Sequence, residues 1–439
     1  MEASRIVMRV LTEQVPDMEA WEQAVLTASL AAGAKTLATI LALIGGGRRA
    51  EPVVCTCGQR MESVGLRTKH VTTLLGDTAF PRSLFVCPGC GASRFPGDQA
   101  LDMERTGFSP GVRRLMARAG AKHSFVEAED DLRVYARLSV DRRDIERVAE
   151  DIGRQIEASQ TRQAVQPPEG CPSIPVMYIE YDGTAAPMRK GELVGHKGRK
   201  PGADPKGREV KVGCVFTQTI IDKSGYAVRD ENSTTYVAGI ESSFFFGERI
   251  YHEAVRRGLD LARRVVVLTD GAAYNRTIKD THFHRALHIV DLYHACEHLT
   301  DLTDHIRLDP AVRATWSDWL DQGRIEDLVD AATRALPLRG QRRSLAIKEI
   351  RYFQKNAERM RYGTFRSQGL FIGSGVIEAG CRTVVGCRCK KPGMFWSCSG
   401  AHAILQARCS LLSGRFDADW EDIVCNRAKH PTRHARPAA

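Results

Sequence analysis

Between Ile174 and Leu299 short apolar runs alternate with helical patterning, and two of the runs end at an aspartate. Pro175 to Tyr181 has strand length. Val210–Ile221 and Tyr226–Val228 read as further strands, joined by the turn-forming tetrad Asp222-Lys-Ser-Gly225. Phe246–Gly258 reads as a helix. Arg264–Leu268 and Leu287–Val290 read as strands, each followed by a helix. Such alternation restricts the stretch to an α/β layer with a mixed sheet. Asp182 follows the first run and Asp270 follows Val265-Val-Val-Leu-Thr269, each standing before a glycine. A carboxylate at the end of an apolar strand costs desolvation energy unless something pairs with it.

One strand-end Asp-Gly is an ordinary turn. Two of them, with Glu378 in the first turns of a helix that begins near Ser374, form a set able to hold a pair of divalent ions. Hard oxygen ligands select magnesium or manganese over zinc. Glu180 shares a strand face with Asp182, because side chains alternate. Asp182 is the preferred ligand because it is expected at the strand end, where ligands approach an α/β sheet.

The chain has 439 residues, enough for about three domains. Residues 1–47 read as a helical segment ending at Gly45-Gly46-Gly47. Its stretch Ala24 to Ile44 is apolar and long, but it contains Lys35 and repeats leucine at helical spacing, so packing in protein is expected and not a membrane span. A secretory signal is not expected either, for want of a basic start, a short apolar core and a cleavage site. Paired cysteines then read as metal ligands. Cys55-Thr-Cys57-Gly and Cys87-Pro-Gly-Cys90-Gly, with 29 residues between them, predict a zinc ribbon over residues 50–100, its hairpin running through Val71–Leu75 and Leu84–Val86. The first knuckle is C-x-C, shorter than the usual C-x-x-C. Residues 105–166 are helical, with Ser109-Pro110 as N-cap and first position, and helices over Asp130–Ala136 and Arg142–Ala158. Residues 124–158 can form a helix-turn-helix that turns at Leu138-Ser139-Val140, a shape also common in proteins that never meet DNA. Residues 300–370 are helical, with Trp316 and Trp319 as core anchors, and 416–439 read as a basic tail, loose after Trp420.

The formal net charge is +10, which mildly favours a polyanionic partner. Between Arg189 and Lys211 there are eight Lys or Arg against Glu192, Asp204 and Glu209, spaced by glycines. Lys197, Arg199, Lys200 and Lys206 lie in this loop and suit contact with a phosphate backbone, although a solvated surface loop has the same composition. Arg382, Arg388, Lys390 and Lys391 follow Glu378. Trp396 can stack on an unpaired base or pack between helices. The late cysteines Cys381, Cys387, Cys389, Cys398 and Cys409 offer material for a second metal site.

In order, Tyr181-Asp-Gly-Thr184, Leu268-Thr-Asp-Gly-Ala272, Ile289-Val-Asp-Leu-Tyr-His-Ala-Cys-Glu-His-Leu299, Gly373-Ser-Gly-Val-Ile-Glu-Ala379 and Gly393-Met-Phe-Trp-Ser397 resemble the DDE transposases of the ISKra insertion-sequence family. The cysteine segment and the Ser109-Pro-Gly111 helical segment resemble its N-terminal half, so the likeness spans about residues 50 to 412. It implies an α/β multidomain chain. An RNase H-like catalytic core would cover 172–299 and 371–415, with a helical insertion over 300–370, preceded by a zinc ribbon and a helix-turn-helix-like domain. It implies two Mg2+ or Mn2+ ions on Asp182, Asp270 and Glu378, and a structural Zn2+ on Cys55, Cys57, Cys87 and Cys90. The implied activity is DNA cleavage at transposon ends and strand transfer into target DNA. The implied partners are double-stranded DNA, as terminal inverted repeats and target, and further copies of the chain in a synaptic complex. The implied place is the bacterial cytoplasm, at the nucleoid. The shortened first knuckle and the cysteines in Cys387-Arg-Cys389 depart from the pattern.

Asp291 and His294 match a D-x-x-H signature of several transposase groups. His294 can orient a phosphate or a water, and a structural histidine beside the sheet fits as well. His294-Ala-Cys-Glu297-His298 also matches H-x-x-E-H, the inverted pattern of zinc peptidases. That reading leaves the cysteine pairs and the strand-end acids unexplained. A decayed or domesticated copy that binds DNA without catalysis is the other alternative.

Overall fold

The computed structural model describes residues 17–45, 52–162, 173–196, 205–337 and 339–429. They divide into two compact units, Met1–Ser159 with Asp417–Ala439, and Gln160–Phe416.

In the first unit, β1 (Glu62–Thr73) and β2 (Gly76–Val86) form an antiparallel hairpin, and β3 (Ser93–Arg94) pairs with the end of β2. Gly76 opens β2 at φ 108°, a conformation that costs glycine nothing. Helix α1 (Met18–Gly45) lays Leu37 and Leu41 on Val71, Phe80 and Met103. Among the described residues, Met18–Ile44 is long and apolar enough to cross a membrane. Only 6% of its most apolar window is buried, so the packing expected from its leucines is confined to the C-terminal part. The short helix α2 (Pro96–Ala100) supplies buried Asp98, which accepts from Lys69 at 3.0 Å and from Arg82.

Helices α3 (Pro110–Lys122), α4 (Phe125–Tyr135) and α5 (Arg142–Arg162) follow. Ser109 caps α3 as expected, and Ser124 with Glu127 makes a complete capping box for α4. Between α4 and α5 the chain turns through Arg137 at φ 55° and buries Leu138 and Val140, so the expected turn is an apolar plug. The expectation of a loose tail after Trp420 fails as far as Lys429. Phe416–Lys429 is a helix with Phe416, Trp420 and Ile423 buried, and Asp417 accepts from Arg114 at 2.8 Å. The helical spacing of those three apolar residues is the signal that composition masks. Residues 430–439 lie outside the described part.

The second unit is built on a five-stranded mixed sheet of order β10-β9-β4-β5-β8. Strands β4 (Ile174–Pro187), β9 (Ala262–Thr269) and β10 (Leu287–Val290) run parallel, while β5 (Gly207–Gln218) and β8 (Thr235–Gly239) continue antiparallel from β4. The turn tetrad separates the two-residue strands β6 (Ile220–Ile221) and β7 (Ala227–Val228). One face carries Met177, Ile179, Tyr181, Val215 and Val267 under α6 (Ser243–Arg256) and α7 (Ala273–His282). Alternation puts Tyr178, Glu180 and Asp182 of β4 on the other face. There Tyr178 stacks on Phe216 at 4.9 Å and meets Phe371 edge-on.

Helices α8 (Leu292–Ile306), α9 (Pro310–Gln322), α10 (Ile325–Arg334), α11 (Gln341–Asn356) and α12 (Tyr362–Ser367) occupy the expected insertion. Trp316 is buried, whereas Trp319 is half-exposed beneath the Arg324 guanidinium. Tyr362 Oη donates to the Val290 carbonyl at 3.0 Å, and Tyr352 Oη to the Asp270 carbonyl at 3.3 Å, so these helices return to the sheet edge. The chain ends the unit with α13 (Gly375–Gly380), a π-turn over Cys381–Gly386, α14 (Cys387–Cys389) and α15 (Cys398–Leu412).

Gly213 of β5 lets α6 approach the sheet. A methyl group there would stand 2.7 Å from Ile250 Cδ1 and 3.1 Å from Phe246 Cζ, both fully packed. Gly213→Ala is expected to destabilise the protein by about 1–3 kcal/mol through overpacking. Urea unfolding followed by tryptophan fluorescence measures it, and an unchanged midpoint would contradict this packing.

Candidate functional site

The parallel strands carry acids at one common edge. Glu180 and Leu268 are register partners, as are Leu268 and Ile289. Two residues further along each strand stand Asp182, Asp270 and Asp291. Parallel partners share a face and side chains alternate, so these three acids and Glu180 belong to the same face of the sheet. The expected strand end at Asp182 is corrected here. Strand β4 runs on past Asp182 to Pro187, against Gly207 of β5. What ends at Glu180 is the pairing with β9, and Asp182 lies just past it.

The segment around α13 closes the group from the other side. Ile377 N–H donates to Glu180 Oε2 at 2.9 Å, and Ser374 N–H to Asp291 Oδ1 at 2.9 Å. These are among the first N–H groups of a helix, which lack partners within it and attract negative charge. Cys381 Sγ lies 3.9 Å from Asp182 Oδ2. Glu378, in the same segment, comes within 4.8 Å of Asp291 and His294, ligand atom to ligand atom. Asp270 Oδ1 accepts from the Ala272 N–H at 2.9 Å and from Asn275 Nδ2 at 2.6 Å.

Burial and neighbouring charge shift Glu180 and Asp182 upward. Burial pushes the Glu180 carboxyl up to about 8, against the Ile377 N–H and with the charges of Asp291 and Glu378. Its Oε1 is buried and has no hydrogen-bond partner. Asp182 is also held above the usual carboxylate range, by burial and then by the charges of Asp270 and Glu378. The charges of both Asp270 and Glu378 thus act on Asp182. Asp291 behaves oppositely. Burial alone would raise it, but hydrogen bonds from His294 and from the Ser374 and His294 N–H groups bring it below its ordinary value. The Asp291 bond to His294 Nδ1, 2.8 Å long, raises that imidazole to about 9.

Among the described residues, Asp291, His294 and Glu378 form a group that could hold a metal ion, and Asp182 and Asp270 stand outside it. Glu180 adds a buried oxygen without a partner to the same face. Strand position alone favours Asp182 over Glu180; the isolation of Glu180 in an apolar strand is the signal that marks it as part of the site. Tyr352 and Cys381 carry no such signal, because only tertiary packing brings them to the acids.

The remaining expectations divide. Lys390 is exposed and donates to Thr184 Oγ1 at 2.6 Å, two residues beyond Asp182, and Arg382 and Lys206 are exposed. Lys391 is half-buried. Lys197, Arg199 and Lys200 lie outside the described residues. Arg388 and Trp396 are not available to DNA. Arg388 is fully buried with its guanidinium 4.9 Å from the Trp396 ring, and Trp396 is 6% exposed and donates to the Cys389 carbonyl. Trp396 packs, as its alternative reading held. Among the described residues the late cysteines form no ligand cluster, and neither does the H-x-x-E-H pattern. His298 instead bonds Glu349 at 2.5 Å and stacks on Tyr352 at 3.6 Å.

A second cluster stands in the first unit. The sulfurs of Cys55, Cys57, Cys87 and Cys90 all lie within 4.8 Å of one another, with Cys55–Cys90 and Cys57–Cys87 at 3.5 Å. Four thiolates at about 2.3 Å from zinc stand about 3.8 Å apart. The cluster can therefore hold such an ion, and the C-x-C knuckle does not prevent it. The Cys57 N–H lowers the Cys55 thiol to about 6, while the three facing sulfurs push Cys90 up to about 12, so the four thiols share their protons until a metal displaces them. Gly58 and Gly91, at φ 88° and 69°, turn the chain after each pair.

Two outcomes are expected. Purified protein should contain about one zinc per chain, lost when Cys87 and Cys90 are both replaced by serine; a metal-free, fully folded protein would contradict the site. Glu180 has a raised folded pKa, so its contribution to stability is complete below its ordinary value and is lost as pH rises through about 8. In magnesium-free buffer, the Tm advantage of Glu180→Gln should therefore be small at pH 5 and grow toward pH 9. An advantage independent of pH would contradict the buried, unpaired carboxylate.

No family model matches the chain, and no curated protein matches it significantly.

Proposed function

We propose that this chain is a DDE transposase with an RNase H-like core, cutting DNA at transposon ends and joining the 3′ ends to target DNA. The reading is supported by Asp182 and Asp270 standing at the ends of neighbouring parallel strand pairings, and by Glu378, from a helix beyond a helical insertion, whose charge acts on Asp182 and whose carboxylate lies within 4.8 Å of Asp291 and His294. The strand order, an antiparallel pair beside a parallel trio, supports it.

Asp182, Asp270 and Glu378 would hold two magnesium or manganese ions. Bound there, such ions would activate the attacking hydroxyl and stabilise the leaving oxygen. The chain's own part is to place charge. The Ser374 and Ile377 N–H groups fix the carboxylates that back the site. His294, held by Asp291 and raised to about 9, is cationic at neutral pH and suits a phosphate oxygen. Lys390 and Arg382 offer further positive charge for the DNA backbone. The four-cysteine hairpin and the helices after it would hold the terminal repeats, and a second copy of the chain would bring the two ends together.

The test is cleavage, in magnesium, of a duplex carrying the DNA that flanks the reading frame. Asp270→Asn, with unchanged circular dichroism, should lose activity while retaining DNA binding. Undiminished cleavage would overturn the assignment of the acids. Binding without cleavage by the unaltered chain would favour the non-catalytic alternative.

A further inference from the structure

At the other end of the same strands lies a cavity of about 640 Å³ that the carboxylate cluster does not use. It opens where β9 begins at Ala262 and β10 at Leu287, so the eight residues of β9 place it roughly 25 Å from the acidic edge. Its charge is opposite in sign. Arg263, Arg264 and Arg285 line it, against the single carboxylate of Asp260. All three arginines are exposed. Arg263 Nε donates to Ser173 Oγ at 3.1 Å, and Arg264 Nη1 to Gln368 Oε1 at 2.8 Å. Each of these bonds uses one donor of a guanidinium that carries five.

One wall is aromatic. Tyr251 of α6 lies 5.8 Å from the His282 ring, tilted by 34°, and 5.9 Å from Phe283. His282 reaches this position because residue 247 in α6 is glycine; a methyl group there would stand 2.7 Å from His282 Nε2. The ring wall is therefore built into the fold. Guanidinium groups beside aromatic rings suit a phosphate attached to a base: forked donors for the phosphate and a single ring face, that of Tyr251 or His282, for the base.

We propose that this cavity binds a nucleotide unit, free or within a single strand of nucleic acid, with its phosphate on Arg263 and Arg285 and its base against Tyr251 and His282. The proposal does not rest on the transposase reading. If that reading also holds, the cavity is a nucleic-acid subsite at the edge of the core remote from the chemistry.

Binding of the full-length chain to dAMP, to inorganic phosphate and to a fluorescent single-stranded oligonucleotide tests it, by calorimetry and anisotropy. Arg263→Ala with Arg285→Ala, both at exposed positions, should weaken dAMP or oligonucleotide at least tenfold and leave the melting curve unchanged. For the oligonucleotide, the slope of log affinity against log salt should fall by about 0.7 for each phosphate that an arginine no longer neutralises. Gly247→Ala, which displaces His282, should weaken dAMP while sparing inorganic phosphate. Binding of the oligonucleotide but not of dAMP supports a strand subsite, and the reverse supports a free nucleotide. Inorganic phosphate competing as well as dAMP would overturn the nucleotide assignment. Affinities unmoved by the arginine pair, or no binding of any probe, would overturn the site.

Discussion

Two backbone hydrogen bonds hold the second unit's chemistry together: Ile377 N–H to Glu180 and Ser374 N–H to Asp291. Both acceptors are fully buried carboxyl groups, which would be costly without such donors. Both donors come from the start of one short helix. The sheet therefore presents its acids correctly only when the segment after the helical insertion has docked. Glu378 arrives in the same movement, because it is the next residue after Ile377. Tyr362 and Tyr352, bonded to the carbonyls of Val290 and Asp270, tie the insertion to the same edge. The site is thus assembled from segments far apart in sequence, and its completion is coupled to folding of the whole unit.

Much of this is legible in the chain. The strands of the mixed sheet follow from apolar runs bounded by turn residues, and Leu287–Val290 is a strand over the very residues its apolar run marks. The acids Asp182, Asp270 and Glu378 stand out because carboxylates beside apolar runs are costly and need a reason. The four cysteines declare themselves by spacing. What the chain does not disclose depends on tertiary neighbours. Strand β4 outlasts its pairing with β9 because β5 continues beside it, which no local pattern records. Arg388 reads as a surface cation, yet it is buried beside the Trp396 ring. The helix Phe416–Lys429 is hidden by the charges around its apolar positions.

The chain separates two kinds of polar cluster. Soft thiolates gather at the open end of a hairpin in the first unit, where a metal ion would replace a hydrophobic core too small to stand alone. Hard carboxylates gather on the sheet of the second unit, where burial and repulsion raise Glu180 and Asp182 and leave a buried oxygen unpaired. The sheet itself is polar in the electrostatic sense, with acids at the carboxyl ends of its parallel strands and arginines at the amino ends.

The most direct measurement of the central claim is manganese binding by the zinc-loaded chain, followed by electron paramagnetic resonance. The account predicts about two Mn2+ per chain, displaced by magnesium and lost together in Asp182→Asn and in Glu378→Gln. Manganese that does not bind, or that binds equally well to both variants, would contradict it.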